Sequence, residues 1–293
     1  MTDWITITSG ALTAAINPLG AELSSLRDAD GRELMTDADP AFWTGRAPLL
    51  FPVIGRCRDD RILLDGQSYP MPKHGFARRS AFVPIDRGEA HAAFRLDDSA
   101  ETRAAYPFAF ALEARFALTG VSLEMAIALH NPGAMPLPAS FGFHPAFAWP
   151  LPYGGAREAH RMVFDAPEPA PLARITPEGY STAPIKPSPV VGDTLALADA
   201  LFEDDALVWN PVASRGLRYG PPEGPWLDIA WDAPRLGVWT KPGARFVCVE
   251  PWHGIADPEG FDGEFRDKPG VFEVAPGETW RCAMRVGLVV AEK

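Results

Sequence analysis

The chain has 293 residues, a formal net charge of −11 and 47% hydrophobic residues. A compact chain of this length buries enough apolar surface to be stable without disulfides or a structural metal, and its 22% of charged residues is ordinary for a globular protein. The acidic charge, with no run rich in Lys and Arg, argues against nucleic acids and anionic membranes as partners.

The first part of the sequence is typical of short strands joined by turns. Residues 5–8, 12–16 and 21–27 alternate between apolar and polar side chains, and Gly, Asn, Pro and Asp occupy the positions between them. The next two segments, 61–65 and 68–70, predict a hairpin. Further strands are predicted at residues 108–116, 121–130, 161–164, 207–209, 227–231, 236–239, 246–250, 271–274 and 280–290.

Helix signals are few, because only residues 194–202 combine good helix formers, enough for one short helix. The Pro-rich segment 167–189 is predicted to be a long loop over a sheet. Strand signals recur without the alternation of strand and helix that marks a parallel sheet. The sequence therefore predicts an all-β sandwich or barrel of about twenty strands, in one domain over residues 1–293.

Three cysteines, Cys57, Cys248 and Cys282, are too widely spaced to predict a disulfide framework or a zinc knuckle. The chain start lacks the basic and apolar regions of a signal peptide, and no apolar run reaches the ~18 residues of a spanning helix. We therefore expect a cytoplasmic protein.

A first candidate site segment centres on His74, which lies between Lys73 and Gly75. Glycine permits close approach of the backbone. Arg56 and Arg78, on either side in the sequence, offer planar sets of donors that suit hydroxyl or phosphate groups. The alternative is that His74 caps a turn and that both arginines are solvated.

A second candidate is His144, which lies among Phe141, Phe143 and Phe147 and directly before Pro145. An apolar setting disfavours the imidazolium form and holds a histidine near the boundary between its two charge states, which suits proton transfer. Aromatic walls also suit the apolar face of a sugar. The alternative is a core histidine bonded to a carbonyl oxygen.

A third candidate is Glu250, which ends an apolar strand. A carboxylate there is costly unless it is paired or used, so it is either a functional group or a member of a structural ion pair. Trp252 could stack on a pyranose ring. Asp205, in an acidic run before a strand, could bind two vicinal hydroxyls or could be a solvated turn.

Familiar motifs for nucleotide, zinc or calcium binding and for serine hydrolases are missing from the sequence. The spacing of His74, His144 and Glu250 matches no close-packed metal motif. We therefore expect no metal and no organic cofactor.

Four segments carry a resemblance to a known family: FPVIGR (51–56), KHGFAR (73–78), SFGFHPAF (140–147) and VCVEPWHGIADP (247–258). Their order and spacing resemble the aldose 1-epimerase (mutarotase) superfamily, and most closely its branch of LacX-like proteins and hexose-6-phosphate epimerases. The resemblance spans nearly the whole chain. It implies a galactose mutarotase-like supersandwich of antiparallel strands, in agreement with the all-β class predicted from the strand pattern.

The resemblance also implies roles for single residues. His144 matches the family's general acid, Glu250 its general base, and His74 the second histidine, which orients the sugar. For substrate binding, the matches are Arg56 or, because the segment after Gly55 holds an extra residue, Arg61 for the sugar, Arg78 for a phosphate and Asp205 for hydroxyls.

The implied activity is interconversion of the α and β anomers of a hexose or hexose 6-phosphate by ring opening and reclosure. The acid and the base are expected on opposite sides of the acetal carbon, with ordinary pKa values near ~4.3 for Glu and ~6.5 for His. The expected partner is a small sugar, and the protein a monomer or homodimer. A non-catalytic carbohydrate-binding module and a glycoside hydrolase that uses Asp205 and Glu250 are the alternatives.

Overall fold

Antiparallel strands account for most of the regular structure in residues 4–290, the part of the chain that the computed structural model describes. The first eleven strands are β1 (Ile5–Thr8), β2 (Leu12–Asn17), β3 (Glu22–Asp28), β4 (Leu49–Leu50), β5 (Arg61–Leu64), β6 (Gln67–Pro70), β7 (Val83–Arg87), β8 (His91–Asp97), β9 (Ala111–Thr119), β10 (Ser122–His130) and β11 (Leu137–Ala139). The next eleven are β12 (Phe141–Phe143), β13 (Ala146–Ala148), β14 (Arg161–Phe164), β15 (Thr194–Ala196), β16 (Leu207–Trp209), β17 (Gly216–Gly220), β18 (Trp226–Trp231), β19 (Arg235–Trp239), β20 (Phe246–His253), β21 (Phe272–Val274) and β22 (Thr279–Val289).

Helical structure in the described residues is limited to one short α-helix, α1 (Ala100–Ala105), and a few 3-10 turns. Ser99 caps α1, because its hydroxyl accepts from the Thr102 backbone N–H while the Thr102 hydroxyl accepts from the Ser99 N–H. The 3-10 turns are Arg58–Asp60, Ala77–Arg79, Arg157–Ala159, Asp199–Phe202 and Phe265–Asp267. No helix in residues 4–290 is long and apolar enough to cross a membrane.

Two large sheets dominate the fold. The first has nine strands in the order β15-β14-β17-β18-β22-β10-β9-β8-β7, and the second has the order β16-β19-β20-β12-β4, with β13 also paired to β20. One buried apolar cluster contains Leu123 and Met284 from the first sheet and Leu236 and Val249 from the second. The two sheets therefore share a core, and the predicted all-β class is confirmed.

Burial along the strands explains where each sheet faces. On β10, alternate residues from Leu123 to Leu129 are buried, as expected for a strand with one face on the core. Seven of the eight residues of β20 are buried, so both faces of this strand are covered. Its odd-numbered residues Val247 and Val249 join the shared core, and its even-numbered residues face the other side of the sheet.

The predicted helix at 194–202 is wrong. Residues Thr194–Ala196 form β15, which pairs with β14, and a 3-10 turn follows at Asp199–Phe202. Leu195 and Leu197 are both buried, so the segment follows a period of two. Pairing with a neighbouring strand overrides the helix propensity of single residues.

Besides β15, three strands of the nine-stranded sheet, β7, β8 and β17, were not predicted from the sequence. All five residues of β7 are exposed and include Pro84, as is usual at the edge of a sheet. The Pro-rich segment 167–189 contains isolated bridges rather than strands, and one of them joins Ala173 to Val208 of β16.

Candidate active site

The register of the six-stranded sheet brings His144 and Glu250 together. Strands β12 and β13 both lie against β20, and Gly142 of β12 pairs with Trp252 of β20. Continued by two residues along each strand, this register places His144, in the break between β12 and β13, opposite Glu250. The prediction that Glu250 ends its strand is wrong, because β20 continues to His253.

The side chains of His144 and Glu250 are in direct contact. Nε2 of His144 lies 3.2 Å from Oε2 of Glu250. The two residues are only 7% and 2% exposed, respectively. Nδ1 of His144 is buried and has no hydrogen-bond partner within residues 4–290. The contact therefore joins an acid and a base that are both largely removed from water.

Burial shifts the pKa values of this pair away from the ordinary ones. It lowers the pKa of His144 to about 3, with a smaller effect from the positive charges of Arg78 and Lys73. Burial raises the pKa of Glu250 well above its usual range, and the nearby charge of Asp205 adds to the shift. Both shifts favour the uncharged forms, so the expectation of ordinary pKa values is wrong.

His74 is held close to this pair by a turn of the backbone. Its φ is +66°, its N–H donates to the carbonyl oxygen of Gly55 at 2.8 Å, and its Nδ1 accepts from the Gly55 N–H at 3.1 Å. Since Nδ1 accepts, the neutral ring carries its hydrogen on Nε2. The ring centroid lies 5.9 Å from that of His144, and burial, His144 and nearby cations lower the pKa of His74 well below its usual value.

The expectation that Gly75 permits close approach of the backbone is confirmed. A Cβ on this residue would lie 2.0 Å from the carbonyl oxygen of Phe51, and its φ is +71°. Only glycine fits this position without strain. The His74 turn is therefore fixed against the segment that precedes Gly55.

Two tryptophans that were not predicted as site residues enclose His144. Trp43 stacks on the imidazole with a centroid distance of 4.9 Å, and Trp239 meets it edge-on at 5.9 Å. Trp239 ends the predicted strand 236–239, but its position next to β20 could not be known from the sequence. Trp43 lies in an irregular segment and carried no local signal.

Trp252 lies against two neighbouring strands. A Cβ added to Gly142 on β12 or to Gly237 on β19 would come within 2.7 Å of its indole ring. Glycine at both positions therefore makes room for the ring, which is 5% exposed.

A pocket with a cavity volume of about 110 Å³ opens over these side chains. The predicted residues His74, His144, Glu250, Trp252 and Asp205 all line it. The remaining lining residues are Ile54, Gly55, Lys73, Ile175, Gly179, Ala206, Trp239 and Ala256.

Asp205 and Lys73 both reach the pocket from turns of the backbone. Asp205 is exposed, has a φ of +67°, and its Oδ1 accepts from the Ala206 N–H at 2.7 Å. Lys73, which was assigned no role from the sequence, lies in a turn with His74 and lines the pocket.

Arg56 and Arg61, the two arginines predicted as alternatives for sugar binding, do not line this pocket. Arg56 forms a two-bond ion pair with Asp60, with both distances at 3.0 Å, and donates to the carbonyl oxygen of Glu178 at 3.1 Å. Arg61 donates to the hydroxyl and carbonyl oxygens of Ser68. A sugar contact by either residue stays a prediction.

Arg78 is half-buried behind the turn that carries His74. One guanidinium N–H donates to the carbonyl oxygen of Lys73 at 3.1 Å, and Nε is buried without a hydrogen-bond partner within residues 4–290. Burial and the neighbouring Arg79 lower the pKa of Arg78. Its role as a phosphate contact also stays a prediction.

Two groups of potential metal ligands occur in residues 4–290. The donor atoms of His144, Cys248 and Glu250 lie within 4.8 Å of one another. The same holds for Asp232, His253 and Cys282. The first group contains the acid–base pair itself. Burial raises the pKa of Cys248 well above its usual value, so this thiol is uncharged beside the pair.

The chain is similar to known proteins over nearly its whole length. The family model for aldose 1-epimerase matches residues 3–286. The chromosomal protein LacX of Lactococcus lactis subsp. lactis is 30% identical over 279 residues, which cover 92% of this chain and 93% of the relative.

Solved structures show the same fold. A galactose mutarotase related enzyme from Lactobacillus acidophilus matches with a TM-score of 0.90 and 28% identity over 98% of this chain and 97% of that chain. A galactose mutarotase-like protein from Lactobacillus casei ATCC 334 also has a TM-score of 0.90 and 28% identity, over 98% of this chain and 100% of its own. The predicted mutarotase-like β-sandwich is confirmed, and the chain belongs to the aldose 1-epimerase family.

Proposed function

We propose that this protein is an isomerase that interconverts the α and β anomers of a hexose or hexose 6-phosphate. The observation that carries the proposal is the buried contact between His144 Nε2 and Glu250 Oε2, 3.2 Å long, with both residues lining one pocket. Binding alone needs no such pair, whereas ring opening requires one proton to be removed and another to be supplied.

In the proposed reaction, the Glu250 carboxylate removes the proton of the anomeric hydroxyl. His144, as imidazolium, gives its Nε2 proton to the ring oxygen. The bond between C1 and the ring oxygen breaks, and C1 becomes an aldehyde. Rotation about the C1–C2 bond and reversal of both proton transfers yield the other anomer, so the enzyme returns to its starting state.

In this proposal the acid and the base lie side by side rather than on opposite sides of the acetal carbon, because His144 Nε2 and Glu250 Oε2 are in contact. Because the anomeric oxygen and the ring oxygen share C1, adjacent acid and base atoms can reach both from one side. The charged pair, Glu250 carboxylate with His144 imidazolium, holds as many protons as the uncharged pair. Transfer of one proton across the contact therefore prepares the pair for reaction without a proton from solvent.

The other lining residues have supporting roles in this proposal. His74, with its hydrogen on Nε2, donates to a sugar hydroxyl and fixes the position of the ring. Trp252 contacts the apolar face of the sugar, and Asp205 accepts hydrogen bonds from hydroxyls at the exposed side of the pocket. The arrangement needs no redox or organic cofactor.

Polarimetry on freshly dissolved α-glucose and α-galactose, together with release of a dye from nitrophenyl glycosides, tests the proposal. We expect faster loss of optical rotation than in buffer and no dye release. Sugar binding without faster mutarotation would instead indicate a carbohydrate-binding protein. Dye release that depends on Glu250 and Asp205 would indicate a glycoside hydrolase.

A further inference from the structure

Asp232, His253 and Cys282 form a separate group of potential metal ligands. Their donor atoms lie within 4.8 Å of one another, and His253 Nε2 is 3.4 Å from Asp232 Oδ1. None of the three lines the pocket over His144 and Glu250. The group combines an imidazole, a carboxylate and a thiol.

The three residues come from both large sheets. Asp232 directly follows β18, and Cys282 lies in β22, the neighbour of β18 in the nine-stranded sheet. His253 ends β20 of the six-stranded sheet. The group therefore lies where the two sheets meet, and a ligand bound by all three side chains would join them.

Contacts around the group already orient two of the donors. Oδ2 of Asp232 accepts from the Ala283 N–H at 3.0 Å, which leaves Oδ1 toward His253. The ring of His253 meets Trp280 edge-on, with a centroid distance of 4.9 Å. The Asp232 carboxylate and the His253 imidazole are thus already oriented. They would lose little conformational freedom when they bind an ion.

We propose that Asp232, His253 and Cys282 bind a Zn²⁺-like divalent cation that joins the two sheets. Nitrogen and sulfur donors select late first-row metals over Mg²⁺ or Ca²⁺, which prefer oxygen ligands. Zn²⁺ bonds of ~2.0–2.3 Å in a tetrahedral site place the ligand atoms roughly 3.3–3.8 Å apart. Donor atoms up to 4.8 Å apart would therefore have to close by about 1 Å on binding.

Solvent access permits entry of the ion and leaves room for a fourth ligand. The Asp232 side chain is 53% exposed and that of His253 is 20% exposed, whereas Cys282 is buried. Binding displaces the thiol proton, as at other thiolate sites. Water would complete the coordination at the exposed side.

Titration of the reduced protein with Co²⁺ and Zn²⁺ tests the proposal. We expect a thiolate-to-cobalt charge-transfer band in the near ultraviolet, which Zn²⁺ abolishes by displacement. Zn²⁺ in roughly hundredfold excess over its Kd should raise the Tm by a few °C, whereas Mg²⁺ and Ca²⁺ should not. Both readouts are independent of enzyme activity.

Single variants identify the ligands. Cys282→Ser should abolish the band, and His253→Gln, at a more exposed position, should weaken Co²⁺ binding at least tenfold. Cys57→Ser should leave both readouts unchanged, because Cys57 belongs to neither ligand group in residues 4–290. Absence of the band in the wild type overturns the proposal. Loss of the band in Cys248→Ser but not in Cys282→Ser would also overturn the proposal, because the ion would then lie at the pair of His144 and Glu250.

Discussion

The carboxyl group of Glu250 and the imidazole of His144 are buried at a cost to stability. Each group has a pKa that is shifted toward its uncharged form, and both side chains are largely buried. Groups that raise activity at the expense of stability are common in active sites. The pair therefore supports predictions about both kinetics and stability.

Loss of either member of the pair should slow the chemical step. We expect Glu250→Gln and His144→Asn each to lower kcat by about a hundredfold or more, with a smaller change in KM, because proton transfer is lost while the shape of the pocket is kept. Mutarotation followed by polarimetry measures this. Glu124→Gln, a change of the same type at an exposed position of β10, is the control. A variant of the pair that keeps more than half of the wild-type kcat would exclude that residue from the mechanism.

The pKa of Glu250 predicts a pH-dependent stability. The folded state holds the carboxyl proton more tightly than the unfolded chain, so the stability due to this proton is present below ~4.3 and is lost as the pH rises through the raised pKa. Glu250→Gln removes this loss. We therefore expect the Tm of the variant relative to wild type to increase between about pH 5 and about pH 8.

His144 should show the opposite dependence. Its pKa falls to about 3 in the folded protein, so its contribution is intact above ~6.5 and is lost as the pH falls toward the folded value. The Tm of His144→Asn relative to wild type should therefore increase toward acid pH. Calorimetry over the pH series measures both variants. Equal Tm differences at all pH values would contradict the assigned burial of the pair.

Among the elements, β20 separates the core from the site. Val247 and Val249 pack in the shared core, while Glu250 and Trp252 lie on the other face toward the pocket. Neighbouring strands must leave space for the large indole, and glycine at position 237 of β19 provides it. The position of Trp252 thus depends on the absence of a side chain on an adjacent strand.

An added methyl group at this position should disturb the site. Because the Cβ of Gly237→Ala would lie 2.7 Å from the Trp252 ring, we expect the ring to shift, kcat/KM to fall at least tenfold, and unfolding to become easier by about 1–3 kcal/mol. Gly287→Ala on β22 is the matched control, since the nearest atom to its Cβ would be 3.7 Å away. Kinetics and chemical denaturation measure both effects. Unchanged kinetics in Gly237→Ala would exclude the Trp252 position as a determinant of activity.

For the whole molecule, the net charge of −11 repels an anionic substrate at long range. Three cations nevertheless lie at or near the pocket. Lys73 lines both this pocket and a neighbouring one, where Arg174 and Lys186 add two more cations beside three acidic residues. None of these three cations forms an ion pair with a carboxylate within 4.0 Å in residues 4–290.

This charge distribution predicts how a phosphorylated sugar is recognised. We expect a higher kcat/KM for glucose 6-phosphate than for glucose, and a loss of most of this advantage in Lys73→Met. Arg78→Ala should lower kcat/KM for both substrates by the same factor. The reason is that the Arg78 guanidinium donates to the Lys73 carbonyl oxygen and does not line the pocket. Lys241→Met, at an exposed position outside both pockets, is the control.

The same comparison separates the alternatives. A phosphate advantage that disappears in Arg78→Ala but survives in Lys73→Met would assign the phosphate to Arg78, as the resemblance implies. Equal kcat/KM values for the two sugars in the wild type would show that the substrates are free hexoses.

Much of the secondary structure follows from the sequence alone. Alternation of apolar residues predicted the long strands β10 and β22 to within two residues at each end, since the strand period is a property of consecutive residues. The candidate site residues named from the sequence include His74, His144, Glu250, Asp205 and Trp252, which all line one pocket.

Other features were decided only by the tertiary structure. The stacking of Trp43 on His144, the entry of Lys73 into the pocket, and the strand at Thr194–Ala196 in place of a helix all depend on neighbours far away in the sequence. The contact of His144 with Glu250 joins positions 250 − 144 = 106 residues apart, and the register of β20 sets it. Burial and pKa values depend on the atoms that surround a group, whereas a sequence pattern reports only the residues that precede and follow it.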